Sequence, residues 1–482
     1  MSRIVVGPFN RVEGDLEVSL DIENGVVNKA QVNSPMFRGF ERIMQGQVPM
    51  DALVYTPRIC GICSVSQSVA CAKALADLAQ TEIPLNGELS INLVLANENM
   101  TDLLTHFYLF FMPDFSRDVY AQKDWYSVVS ERFKAKEGSS VKKMLPARAE
   151  FLHLMGIMAG KWPHSLSIQP GGSAKPIEAQ ERIRLITLIA SFRRYMELHL
   201  FGADLEDVAK LDSIKALLEW RKKEHWSQSD FRTFLHISED LNLAALGRST
   251  DQFLSFGNYQ VQGKKLFAEG CYIQGELQPL NPDSIAEDVA YSWMQGAEAL
   301  HPKEGVTEPS VDNEEAYTWC KAPRLNKQVV EVGALARQLI NGHPLIKELV
   351  EKQGASVESR MIARMLELAI VIPKMQEWAK QLDPQAAFCF PTTLPKEGCG
   401  VGLVEAARGS LGHWLQVSKG KISNYQIIAP TTWNFSPRDS QSIPGALEKA
   451  LEGAPVFEGE KEPVSVQHIV RSFDPCMVCT VH

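Results

Sequence analysis

Two Cys-x-x-Cys pairs stand near opposite ends of this chain, Cys60-Gly61-Ile62-Cys63 and Cys476-Met477-Val478-Cys479, and 413 positions separate Cys63 from Cys476. Each pair puts two sulfurs on a single turn, and four convergent thiolates suit a soft or borderline metal: zinc, an iron-sulfur cluster, copper(I) or nickel. A zinc ribbon brings its second pair within roughly 15 to 20 residues of the first, so a small local finger is excluded. If the pairs form one site, the C-terminus must fold back onto the first part of the chain. The nine cysteines are odd in number and no secretory signal precedes them, which argues against a disulfide framework.

Composition narrows the class further. Hydrophobic residues make up 45% and charged residues 22%, as in ordinary globular chains, so wholesale disorder is excluded. The balance of 49 Lys+Arg against 58 Asp+Glu, without a basic stripe, argues against a nucleic-acid partner. The start Met1-Ser2-Arg3-Ile4-Val5-Val6-Gly7-Pro8 lacks the pattern of a secretory signal, so a cytoplasmic protein is expected. The most apolar stretches, 107–113 and 369–373, fall short of the roughly 20 residues needed to span a bilayer.

Periodicity gives the fold class. Residues 3–35 alternate as strands around Asn24-Gly25, a hairpin signal. From about Val54 apolar residues recur at helical spacing: 69–78, 92–111, 127–133, 147–158, 177–200, 212–225, 284–299, 327–341 and 357–382. Segment 226–280 reads as loops and short strands, and 300–325 as a loop-rich insertion. Strand candidates at 401–404, 415–417 and 425–428 precede a Pro- and Ser-rich stretch and a helix over 443–452. The expectation is a mainly α (α+β) fold: one domain over 1–482, with a hairpin region at about 3–35, a helical body at about 54–382, and a C-terminal strand-and-loop metal region at about 400–482.

The flanks of the cysteines are more specific. Arg58-Ile59-Cys60-Gly61-Ile62-Cys63 and Asp474-Pro475-Cys476-Met477-Val478-Cys479-Thr480-Val481-His482 resemble the two signatures of the large subunit of nickel-iron hydrogenases. Further blocks follow in family order: Arg11-Val12-Glu13-Gly14, Phe37-Arg38-Gly39-Phe40-Glu41, His106-Phe107-Tyr108 with Asp114, Gly160-Lys161-Trp162-Pro163-His164, Glu405-Ala406-Ala407-Arg408-Gly409 with His413, and Tyr425-Gln426 before Pro430-Thr431-Thr432-Trp433-Asn434.

That resemblance implies a site. Cys60, Cys63, Cys476 and Cys479 would hold nickel, with Cys63 and Cys479 bridging to an iron that bears cyanide and carbon monoxide. Dihydrogen would be split heterolytically, leaving a proton on a thiolate, Cys476. Glu13 would relay that proton; its alternative reading is a salt bridge with Arg11 on an exposed strand. Glu41, His482 and the carbonyl of Ile427 match a magnesium site, which in relatives can hold iron. Arg408 and Asp114 look like a charged pair above the open position with Asp474 beside them, or else a buried ion-pair network, with Asp474 as a turn cap before Pro475. Thr431 looks like a hydrogen-bond donor to a cyanide. The other five cysteines read as small buried hydrophobes. His164 and His413 read as satisfied core residues, His413 alternatively facing a partner's cluster. With four cysteines committed to metal, iron-sulfur clusters are expected only in a small partner subunit, and maturation proteins are expected to insert nickel and iron.

One position departs from the hydrogen-oxidising pattern. Four residues after Cys63, where such members carry His, stands Gln67, which can hydrogen-bond to the Cys63 sulfur but cannot carry a proton. Gln67 resembles the cytoplasmic hydrogen-sensing members, as do the bulky Ile62 and Phe110, which in sensors narrow the gas channel. Catalytic members are made with a C-terminal extension beyond the final His, sensors without it, so a gene product that stops at His482 favours sensing. The expectation is a regulatory hydrogen sensor that oxidises dihydrogen slowly and signals through its small subunit to a histidine kinase. The alternatives are a cytoplasmic uptake hydrogenase and, from another class, a structural four-cysteine zinc protein.

Overall fold

The computed structural model describes residues 2–482. Three strands, β1 (Ser2–Val6), β2 (Glu17–Glu23) and β3 (Val26–Asn33), form an antiparallel sheet in the order β1-β2-β3. The turn between β2 and β3 is the expected one: Asn24 and Gly25 both take positive φ, 52° and 76°, the geometry a two-residue hairpin needs.

Helices then build the body. Helix α1 (Ser64–Ala79) begins directly after Cys63, α2 (Leu85–Thr105) runs through the core, and α3 (Ala179–Tyr195) packs with α4 (Val357–Gln381). The Met361, Met365, Leu368 and Ile372 stripe on α4 is fully buried, as core packing requires. A wider π-type turn over His106–Phe111 continues from α2. No helix among the described residues is long and apolar enough to cross a membrane.

Sheet structure is more extensive than the sequence suggested. A long hairpin of β4 (Phe253–Val261) and β5 (Lys264–Ile273), with β6 (Glu276–Gln278), lies mid-chain, and a helix over Asp230–Asp240 precedes it. The helix expected over 284–299 does not form. Ile285–Asp288 is a strand paired with Ala322–Leu325, because a partner strand 37 residues further on captures its backbone hydrogen bonds. The helix expected over 327–341 is confined to Ala334–Ile340.

Near the C-terminus β7 (Gly398–Ala406), β8 (Gly409–Ser418) and β9 (Lys421–Ile428) form an antiparallel sheet. Helix α1 lies directly on edge strand β7. A Cβ at Gly400 or Gly402 would sit about 2 Å from the carbonyl oxygens of Ala74 and Ala70, so only glycine permits this approach. Lys73 Nζ donates to Leu403 O and Val401 N donates to Asp77 Oδ2, closing the edge. Helix α5 (Val464–Ser472) then leads into the second cysteine pair.

The turn after β7 is anchored by a buried arginine. Arg337 bonds both oxygens of Glu367 at 3.0 and 2.8 Å, Glu405 at 2.9 Å, and the carbonyls of Ala406 and Ala407. Removing one partner of a buried ion network leaves uncompensated charge and costs about 3 to 5 kcal/mol. Arg337→Met is therefore expected to lower stability by about that amount in denaturant unfolding. An unchanged midpoint would mean that the two carboxylates find other partners.

Candidate metal centre

The four cysteines converge. Their sulfurs lie within 4.8 Å of one another, all buried. Across the two motifs, Cys60 Sγ is 3.5 Å from Cys476 Sγ and Cys63 Sγ is 3.1 Å from Cys479 Sγ, while Cys476 and Cys479 stand 3.2 Å apart. Hydrogen bonds from Cys476, Cys479 and Cys63 hold the Cys60 thiol well below its usual range. Hydrogen bonding to Cys476 pushes Cys63 well above it, and burial does the same for Cys479. Four thiolates this close need a cation's charge to coexist, so the donor set fits a soft divalent metal.

The local chain explains the convergence. Glu13 forms a parallel bridge with Cys476, and Met477 N donates to Glu13 O at 2.7 Å. Gly14 at φ +82° lets this N-terminal loop lie against Met477 and Val478, where a Cβ would come within about 3.1 Å. Arg38 Nη2 donates to the carbonyls of Ile59 and Val478, each one residue before a cysteine, and so ties both motifs together.

Glu13 is half-buried and is not on a strand with Arg11. Arg11 instead pairs with Asp114. Burial and the nearby Cys60 charge push the Glu13 carboxyl up, against Arg408 and Arg38.

Asp114 does not pair with Arg408, contrary to expectation. It lies beyond the wider turn at His106–Phe111, which rotates the following backbone, and it binds Arg471 at 2.7 and 2.9 Å, with His468 at 3.4 Å. Arg408 takes Asp102, one helical turn before His106, at 2.5 and 3.2 Å, together with Asp474 Oδ1 at 3.1 Å. Burial pushes Asp102 up to about 8 against the pull of Arg408, with Asp474 and Cys60 adding to the rise. Asp474, though burial opposes it, is held below the usual carboxylate range by Arg408. One guanidinium thus serves two buried carboxylates, and Asp102 is the one that keeps a proton more readily. Asp102 could have been found from its place one turn ahead of the His-Phe-Tyr block.

Gln67 is fully buried one turn after Cys63, its N–H bonded to Cys63 O. Its side-chain Oε1 accepts from His413 Nε2 at 2.8 Å, and its Nε2 has no partner among the described residues. The expected bond to the Cys63 sulfur is therefore not made; the amide is turned toward His413. His413 is fully buried and bonded also to Tyr425 OH, a satisfied core residue. Thr431 Oγ1 accepts from Cys476 N at 3.2 Å, leaving its own proton free to donate. Ile62 and Phe110 are both half-buried. Of the other cysteines, Cys71, Cys271 and Cys320 are buried as expected, Cys389 is intermediate, and Cys399 is exposed near the edge of the C-terminal sheet.

A second site lies behind the cluster. Glu41 Oε1 stands 3.2 Å from His482 Nε2 and accepts from Ile427 N at 2.7 Å; it is the Ile427 amide, not its carbonyl, that makes this contact. These residues line a cavity of about 20 Å³ with Glu287, Thr307 and Lys321, room for a single water or small ion. Lys321 Nζ is 3.7 Å from Glu41 and 3.5 Å from Glu287. Although burial opposes it, Lys321 and the His482 hydrogen bond bring Glu41 down to about 2. Lys321 and Glu287 carried no signal in the sequence.

Comparison with known proteins agrees with this geometry. The family model for nickel-dependent hydrogenases matches residues 38–133 and 140–482. The periplasmic NiFeSe hydrogenase large subunit of Desulfomicrobium baculatum is 29% identical, over 100% of this chain and 95% of its own length. The uptake hydrogenase large subunit of Rubrivivax gelatinosus is 26% identical over the same shares. A solved NiFeSe hydrogenase from Dm. baculatum matches with a TM-score of 0.86 at 26% identity, covering both chains completely. With the family matched across both cysteine motifs and the four thiols gathered in one buried cluster, the chain belongs to the nickel-dependent hydrogenase family, as a large subunit.

Proposed function

We propose that Cys60, Cys63, Cys476 and Cys479 would together hold a nickel-iron centre whose iron carries cyanide and carbon monoxide. The carrying observation is the buried convergence of four thiols from both ends of a hydrogenase chain. Bound there, such a centre supplies the splitting of dihydrogen into two protons and two electrons.

The chain's own residues handle the protons and the charge. Glu13 accepts a proton from the Cys476 side and passes it toward water, its affinity for protons already raised by burial. Arg408, held rigidly by Asp102 and Asp474, keeps a fixed positive charge beside the thiolates. Thr431, whose hydroxyl proton is left free by its bond from Cys476 N, would donate to a cyanide of that centre. Glu41 and His482 would offer a carboxylate and an imidazole to magnesium or iron in the small cavity they line, where Lys321 otherwise balances the Glu41 charge. Among the described residues the other cysteines form no second cluster, so electrons leave through an iron-sulfur small subunit. Maturation proteins insert the metals.

Within that frame we favour a cytoplasmic hydrogen sensor acting on a histidine kinase through the small subunit, with Ile62 and Phe110 narrowing gas access. The support is Gln67, a non-titrating side chain with an unpartnered amide one turn from Cys63. An uptake hydrogenase is the second reading, favoured by the relatives that carry that name. Infrared spectroscopy of the purified complex under hydrogen and under air, with elemental analysis, tests the centre; zinc without nickel would overturn it. Gln67→His is expected to raise turnover roughly tenfold while sparing assembly. Unchanged turnover would remove this position from the sensing argument.

A further inference from the structure

Cys63 occupies the position just before the first residue of α1, where a side chain normally caps the free N–H groups of a helix, yet it makes no such bond. The cap comes from another helix. Glu98, on α2 and 2% exposed, accepts at Oε2 from Val65 N at 2.8 Å and Trp162 Nε1 at 3.0 Å, and at Oε1 from Ser66 N at 2.9 Å. The hydroxyls of Ser66 and Ser64 add bonds at 3.0 and 3.3 Å. Burial pushes the Glu98 carboxyl up to about 7, and the N–H groups that meet both oxygens oppose it, an arrangement that suits a carboxylate at the positive end of a helix.

Glu98 also stands four residues, one turn, before Asp102, so one face of α2 presents two acids to the centre. One holds the start of the helix that follows Cys63, and the other holds Arg408. Through Trp162, Glu98 further ties in the 160–164 loop, whose His164 Nδ1 bonds Pro57 O, three residues before Cys60.

We propose that Glu98 is a positioning residue for the hydrogenase centre: it supplies the helix cap that Cys63 cannot, because that sulfur is committed to metal, and its negative charge tunes the electron density of the cluster. The inference rests on the nickel-iron reading above.

The test uses the purified complex of large and small subunits. Glu98→Gln keeps the shape but removes the charge and turns one acceptor into a donor facing N–H groups. The expected result is that nickel content stays at the parent level, the carbonyl and cyanide infrared bands move to higher frequency, and turnover falls about 10- to 100-fold, the range for groups that orient metal ligands. Unshifted bands in Glu98→Gln overturn the inference. If that variant fails to assemble, Trp162→Phe decides: losing a donor that holds the buried carboxyl in its charged form favours its protonation, so the bands should again move to higher frequency, and unshifted bands again overturn it. A parent complex without such bands would overturn the nickel-iron reading and this inference with it, whereas unshifted variants overturn this inference alone.

Discussion

Glu13→Gln is expected to leave the complex assembled and its metals bound while isotope exchange between dihydrogen and water falls by about 10²- to 10⁴-fold, the contribution of a positioned base. Assembly is spared because the structural contact of this residue is its backbone: Met477 N bonds Glu13 O at 2.7 Å, and the carboxamide keeps the size of the carboxylate. The chemistry is lost because an amide cannot accept and release a proton at neutral pH. The measurement is exchange between dihydrogen and deuterated water, with nickel content as the control. Retained exchange would move the relay to another group, of which Asp102, with its raised proton affinity, is the first to examine.

The second large effect is loss of the centre itself. Cys479→Ser replaces a soft thiolate by a hard hydroxyl that stays protonated, at a sulfur 3.1 Å from Cys63 and 3.2 Å from Cys476. If four-ligand sites bind with about 10 to 16 kcal/mol, each ligand accounts for roughly 3 kcal/mol, more than a hundredfold in affinity. The purified chain should therefore contain little nickel and show no hydrogen oxidation. Its fold should persist, since serine keeps nearly the size of cysteine and the Arg337 network holds Glu367, Glu405 and the Ala406 and Ala407 carbonyls without touching a cysteine. A variant that keeps nickel and turnover would show that three thiolates suffice.

Much of the fold was legible because it rests on local chemistry. Asn24-Gly25 specifies its own turn, and the apolar period of α1, α2 and α4 specifies helices whatever surrounds them. Segment 284–299 was misread because its apolar residues also recur at helical spacing, while the strand that claims Ile285–Asp288 lies far along the chain. The motif residues that converge on the two sites were legible too: the four cysteines gather, and Glu41, Ile427 and His482 meet.

Pairing was not legible in the same way. Arg408 meets Asp102 and Asp474, while Asp114, beyond the wider turn at His106–Phe111, meets Arg471. Gln67 was expected to reach a sulfur but turns to His413, which the sheet register brings beside it.

The sequence by itself determined the donor atoms and the demand that the two ends of the chain meet, because residue types and motif flanks carry that information without a fold. Only the tertiary structure decided which charges neutralise one another around the donors and that Glu98 caps the helix Cys63 begins. Those outcomes depend on which side chains from distant segments reach the same buried volume, and in a medium of low polarity each buried charge must find its partner there.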